Sequence, residues 1–164
     1  RAMKKGEEPD YDAPFTTTTE INLHTPALLP GDYCPGVNER LSLYKRFANC
    51  ETQEQVNDLQ EELIDRFGKL PEAAQALVET HRLRIQAKTV GIIKIDAHTE
   101  AAVMQFVPNP PIDAIRIIEI IQKNKHIRLN GPEKLKVTAK MPNLDARVAQ
   151  IKSTIRSLTA SSKK

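Results

Sequence analysis

Apolar positions in this chain recur with two different spacings, and the spacing assigns the elements. After a polar run over residues 1–14 with no apolar period, Thr16 to Thr19 open a β-favouring stretch. There Ile21 and Leu23 alternate with polar neighbours, the pattern of an edge strand. Pro26, Pro30 and Pro35, with Gly31 and Gly36, then interrupt regular structure until Asn38, whose side chain is suited to accept a first-turn amide as a helix cap. Leu41, Tyr44 and Ala48 follow at helical spacing, with Leu43 and Phe47 beside them, and this helix is expected to stop near Asn49. Thr52 and Gln55 form a capping-box pair that opens a second helix, striped by Val56, Leu59, Leu63 and Phe67 and stopped by Gly68. Pro71 fits the first turn of a third helix, in which Ala74, Leu77, Val78, His81 and Ile85 share a face until Gly91.

Beyond Gly91 the spacing shortens. Ile93 and Ile95, then Val103 and Gln105 opposite Met104 and Phe106, alternate around a polar turn at Ala97 to Glu100 and predict a hairpin. Ile112 to Ile121 has strand-forming composition, but Asp113, Arg116, Glu119 and Gln122 recur every three residues. That narrow polar stripe favours a largely buried helix started by Pro111. Ile127 to Leu129 and Leu135 to Val137 flank Asn130-Gly131-Pro132 as a second hairpin, and Leu144, Val148, Ile151, Ile155 and Leu158 stripe a last helix. The order predicts an α+β fold: a small antiparallel or mixed sheet of about five strands packed with about five helices, rather than a doubly wound parallel sheet. Residues 1–14 are expected to be a polar lead-in, residues 15–160 the domain, and residues 161–164 a frayed tail.

Composition narrows the classes. The 164 residues suit one domain, with 40% apolar and 27% charged residues in ordinary globular proportion. No segment approaches the ~18 apolar residues of a membrane helix, and the polar start has no signal-peptide pattern. A first residue other than Met suggests an excised fragment. Cys34 and Cys50 lack a second pair to complete a zinc site and are expected to be free cytosolic thiols. The four histidines fall in different elements and read as incidental, with His81 on the edge of a core face. Net charge is +3 but uneven: residues 123–164 hold eleven Lys or Arg against Glu133 and Asp145, whereas residues 39–72 hold eight acids against five bases. Such polarity bears on association, not on fold.

Motifs for chemistry are absent. Gly31 to Gly36 has the glycine spacing of a phosphate loop, but Val37-Asn38 stand where Lys and Ser or Thr are needed, so no nucleotide or other cofactor is expected. No small-molecule ligand is expected either. No nucleophile elbow, zinc-protease helix or dinucleotide fingerprint occurs. Lys136, Arg147, Lys152 and Arg156 lie off apolar stripes and form a possible basic surface for phosphates, without aromatic residues to stack bases.

The stretch Glu62-Leu63-Ile64-Asp65-Arg66-Phe67-Gly68 is the most informative. Its three apolar side chains are expected to face inward, leaving Glu62, Asp65 and Arg66 outside near the negative end of the helix dipole, where an acid costs ~0.3–1 kcal/mol. Arg66 offsets Glu62 as an i, i+4 pair. Folding does not ask for these acids, and a partner's arginines are their natural mates.

Together with Leu29-Pro30-Gly31-Asp32-Tyr33, Arg40-Leu41-Ser42-Leu43-Tyr44-Lys45-Arg46, Leu70-Pro71 and Leu129-Asn130-Gly131-Pro132, this stretch resembles the C-terminal domain of the bacterial transcription-repair coupling factors. The resemblance covers nearly the whole chain and implies a cytoplasmic parent of the helicase-like superfamily 2. That parent is an ATP-driven DNA translocase that displaces stalled RNA polymerase and recruits the excision-repair protein UvrA. It implies that this domain is regulatory and non-catalytic, docking on a UvrB-like module of the same chain and covering the surface UvrA needs. Glu62 and Asp65, with Arg66 beside them, are by position the acidic side of that contact. The alternative is a basic accessory module for nucleic acid.

Overall fold

Thr19 donates its hydroxyl hydrogen bond to the carbonyl of Ile92 (2.9 Å), and with that contact β1 (Glu20–Asn22) is laid alongside β2 (Ile92–Ala97). In this computed structural model residues 19–159 are described, so the expected lead-in and tail lie outside the described residues. The β1–β2 pairing is parallel, with Glu20 opposite Lys94 and Asn22 opposite Asp96. β3 (Ala101–Phe106) returns as a hairpin on β2, and β4 (Ile127–Leu129) and β5 (Lys134–Thr138) form a second hairpin whose β5 arm pairs with β3. The sheet order is β1-β2-β3-β5-β4, which puts β1 at an edge.

Three helices, α1 (Val37–Ala48), α2 (Gln53–Phe67) and α3 (Glu72–Thr89), separate β1 from β2. α4 (Ala114–Lys123) lies between β3 and β4, and α5 (Leu144–Thr159) follows β5. The fold is therefore α+β, with five helices and a five-stranded mixed sheet among the described residues, as the spacing predicted.

Two apolar clusters hold it together. Ile95, Met104, Leu135 and Val137 of the sheet pack with Leu83 of α3 and with Val148, Ile151 and Ile155 of α5. Leu43 and Phe47 of α1 pack with Val56, Leu59 and Leu63 of α2 and with Leu77 and Val78 of α3. α3 serves both clusters and joins the helical half to the sheet half.

Several local expectations change. α1 begins after Gly36, whose carbonyl accepts the Arg40 amide (2.9 Å), so Asn38 lies inside the first turn instead of capping it. Its buried face is Leu43 and Phe47, while Leu41 is 57% exposed. Both sets have helical spacing, and contact with α2 and α3 decides between them. Ile64 points to solvent, not inward, because Leu63 already fills the seam. α4 is capped by Asp113, whose side chain accepts the Ile115 amide (3.0 Å), and not started by Pro111. It is also only partly covered: Ile120 is buried, but Ile115 and Ile118 are exposed, since α4 meets the fold along one side, against β4 and α5. In β2 the register slips between Ile92 and Lys94, so Ile93 is an extra residue and Ile92 and Ile95 become the buried pair.

Candidate docking site

The capping box opens α2 as expected: the Thr52 hydroxyl accepts the Gln55 amide (3.1 Å), and the Gln55 side chain accepts the Thr52 amide (3.3 Å). With Val56, Leu59 and Leu63 buried, the last turns leave Asp65 and Arg66 exposed and Glu62 half-buried beside α1. Gly68 ends the helix at φ +95° and ψ −165°, a backbone conformation open to glycine because it has no Cβ. Tyr33 secures that end. Its single hydroxyl hydrogen is shared between the carbonyls of Gly68 (2.8 Å) and Leu63 (3.2 Å), and its ring packs 5.5 Å from that of Phe67.

Glu62 is not left waiting. Arg46 of α1 donates two hydrogen bonds to its carboxylate, each 2.8 Å, and Arg66 donates a third at 3.3 Å. The bond from Arg46 holds the Glu62 carboxyl below the usual carboxylate range, against a smaller opposing effect of burial. Arg66 also pairs with Glu39 of α1, and its guanidinium lies over the Phe67 ring at 4.9 Å. Glu62 is thus paired within the domain by Arg46 as well as by the Arg66 expected from the i, i+4 spacing. Asp65 differs, being exposed and making no ion pair or side-chain hydrogen bond among the described residues. Beside it, Ile64 opens onto a shallow groove of about 390 Å³ lined also by Gln60, Lys69, Leu70, Glu79 and Leu144. Arg46 and Glu39 were the participants not singled out from sequence, although Arg46 closes the Arg40–Arg46 stretch. Tyr33, Arg46 and Glu62, from three separate stretches, thus meet around one helix end.

The TRCF domain family matches residues 23–117, more than half of the chain. The chain is 37% identical over 158 residues to the transcription-repair-coupling factor of Escherichia coli, covering 96% of this chain and 14% of that protein. This chain belongs to the transcription-repair-coupling factor family. The factor from Haemophilus influenzae is 34% identical over 161 residues, covering 98% of this chain and again 14% of the relative. The chain therefore spans about a seventh of the length of these two transcription-repair-coupling factors. Its fold matches a crystal structure of the C-terminal domain of transcription-repair coupling factor, with a TM-score of 0.73 at 21% identity over 87% of this chain and 92% of that one.

The four basic residues singled out in this family member do not share a surface. Arg147 is buried, because its guanidinium is used internally: Nε donates to the Met141 carbonyl (3.0 Å) and Nη1 to the Leu23 carbonyl (2.9 Å). It is thus withdrawn from any phosphate-binding face. Lys152 Nζ lies 3.2 Å from Glu79 Oε1, so its charge is met across α3 and α5. Arg156 is exposed on α5, while Lys136 stands on the sheet beside Arg128. Cys34 and Cys50 are both buried free thiols. No helix among the described residues is long and apolar enough to cross a membrane.

Proposed function

We propose that this chain is the non-catalytic, autoinhibitory domain of an ATP-dependent DNA translocase in transcription-coupled repair. It docks through the outer face of α2 on a UvrB-like module of the same protein and masks the surface required by UvrA. RNA polymerase, and the DNA along which the motor moves, are engaged by other parts of the parent. One observation carries this reading: Asp65 stands exposed beside Ile64 and unpaired among the described residues, while Glu62 and Arg66 are already fixed in a network with Arg46 and Glu39.

Such a surface suits docking. A carboxylate with no internal mate accepts a partner guanidinium in two hydrogen bonds, and side chains already held lose less freedom on binding. Ile64 adds apolar area at the centre. A clamp needs only a modest bias, since moving a population from 1:99 to 99:1 takes ~5.5 kcal/mol. Loss of one partner of a buried charge pair costs ~2–5 kcal/mol, so Asp65 with one neighbouring contact is of the required size.

The test is UvrA binding by the full-length protein. Asp65→Arg, which leaves the Arg46–Glu62 pair intact, is expected to raise UvrA affinity, and Glu62→Lys with Asp65→Arg to raise it further. Unchanged UvrA affinity in both variants overturns the proposal.

A further inference from the structure

The face of the sheet turned away from α3 and α5 carries two cross-strand rows. One runs Glu20, Lys94, Gln105, Lys134; the other runs Asn22, Asp96, Val103, Lys136, Arg128. None of these nine residues is buried. Lys94, Lys134, Lys136 and Arg128 have no ion-pair partner among the described residues, whereas Asp96 is engaged by the His24 ring. Glu20, at the far edge, is the one opposing acid in the two rows that is left without a mate among the described residues.

We infer that this open sheet face is a docking surface for the sugar-phosphate backbone of duplex DNA. The four cations sit on β2, β5 and β4. Neighbouring strands are about 4.8 Å apart and alternate residues of one strand about 6.8 Å apart, so the cations are anchored over an area of roughly 14 by 7 Å. Gln105 stands between Lys94 and Lys134 as a neutral donor. Phosphates are bound by such cations and amides and require nothing else from a protein.

Chemistry separates duplex DNA from the other anionic partners. A protein partner needs an aromatic or aliphatic anchor at the centre of the contact, and the only apolar side chain in the two rows is the half-buried Val103. Single strands are held by stacking their bases on aromatic rings, and neither row contains one. A duplex stacks its own bases and presents only phosphate. The surface is also separate from the α2 face: the latter is built on the helical cluster of Phe47, Val56 and Leu63, and the sheet face lies behind the cluster of Ile95, Met104 and Leu135.

Fluorescence anisotropy of the 164-residue chain with a labelled duplex of about 20 base pairs tests the inference, with the matching single strand and polyglutamate as competitors. Binding at low salt is expected, its affinity falling with a log–log slope of about −3 to −4, near −0.9 for each of four phosphate contacts. Lys134→Glu with Lys136→Glu is expected to weaken duplex binding by about tenfold or more, and Lys94→Glu with Arg128→Glu to do the same from other strands. Asp65→Arg should not weaken it, so failure here is distinguishable from failure of the docking proposal. No duplex binding at low salt, a preference for the single strand, or equal competition by polyglutamate per charge overturns it. So does undiminished affinity in both sheet variants when their melting is native.

Discussion

Arg46 on α1 holds the Glu62 carboxylate on α2 through two parallel hydrogen bonds of 2.8 Å. The side chains remain 47% and 33% exposed, so water competes for the pair and the expected coupling is only about 0.5–1 kcal/mol. Its main effect is to fix where Glu62 points. A double-mutant cycle of Arg46→Ala and Glu62→Ala, measured by urea unfolding, should give a coupling in that range. Because the pair holds the Glu62 carboxyl below its usual value, its contribution is complete above the ordinary carboxylate range and is lost as pH falls through the lower folded value. Glu62→Gln should therefore flatten the acid limb of the stability curve.

His81 predicts a second pH effect. Its ring stacks on Phe47 (5.6 Å between centroids) and its Nδ1 accepts from Arg84 Nε (3.2 Å). Burial first, and the Arg84 charge second, pull its pKa from 6.5 down to about 4. The unfolded chain therefore binds more protons than the folded one between those values. Stability should be complete above the unfolded pKa and should fall as pH drops from about 6.5 to about 4, by at most about 3 kcal/mol from this group. The difference in unfolding free energy between the parent and His81→Phe, followed through that window, should show this slope.

Arg147 is a structural arginine. Arg147→Met keeps much of the stem but leaves the Leu23 and Met141 carbonyls without its hydrogen bonds. A cost of about 2–4 kcal/mol is expected in urea unfolding, since each buried group left unpaired costs ~1–3 kcal/mol. Duplex binding by the folded variant should be unaltered.

Gly91 and Gly68 separate strain from collision. Both have positive φ, but a Cβ at Gly91 meets Pro111 Cδ at 2.8 Å and Pro110 Cβ at 3.1 Å, whereas one at Gly68 meets nothing within 4 Å. Gly68→Ala should cost about 1–3 kcal/mol from backbone strain alone, since φ +95° with ψ −165° is a conformation adopted almost only by glycine. Gly91→Ala should cost clearly more, and thermal melting of the two variants gives the order.

Where a signal was local, the sequence carried it. Thr52, Gln55 and the Val56–Leu59–Leu63 stripe define α2 within one segment, and Asn130-Gly131-Pro132 defines its hairpin in the same way. The errors arise where distant partners decide. Leu41 and Leu43 both have helical spacing in α1, and only the packing of α2 and α3 selects Leu43. Ile93 reads as an inward residue until the register slip in β2 is seen. Arg147 looks like a surface cation because its acceptor at Leu23 is 124 residues away. At the candidate site, the exposure of Asp65 and Arg66 was legible from the stripe, but Glu62 is half-buried against Arg46, a mate from another helix that left no periodic trace.

β1 is short, yet it is fastened twice: its parallel bonds run to β2, and Leu23 just beyond it is tied to the closing helix by Arg147. Tension entering ahead of Glu20 along the strand therefore loads several bonds at once and passes directly to α5. A molecule tugged from its front end should resist and then give way as a unit, instead of peeling apart strand by strand.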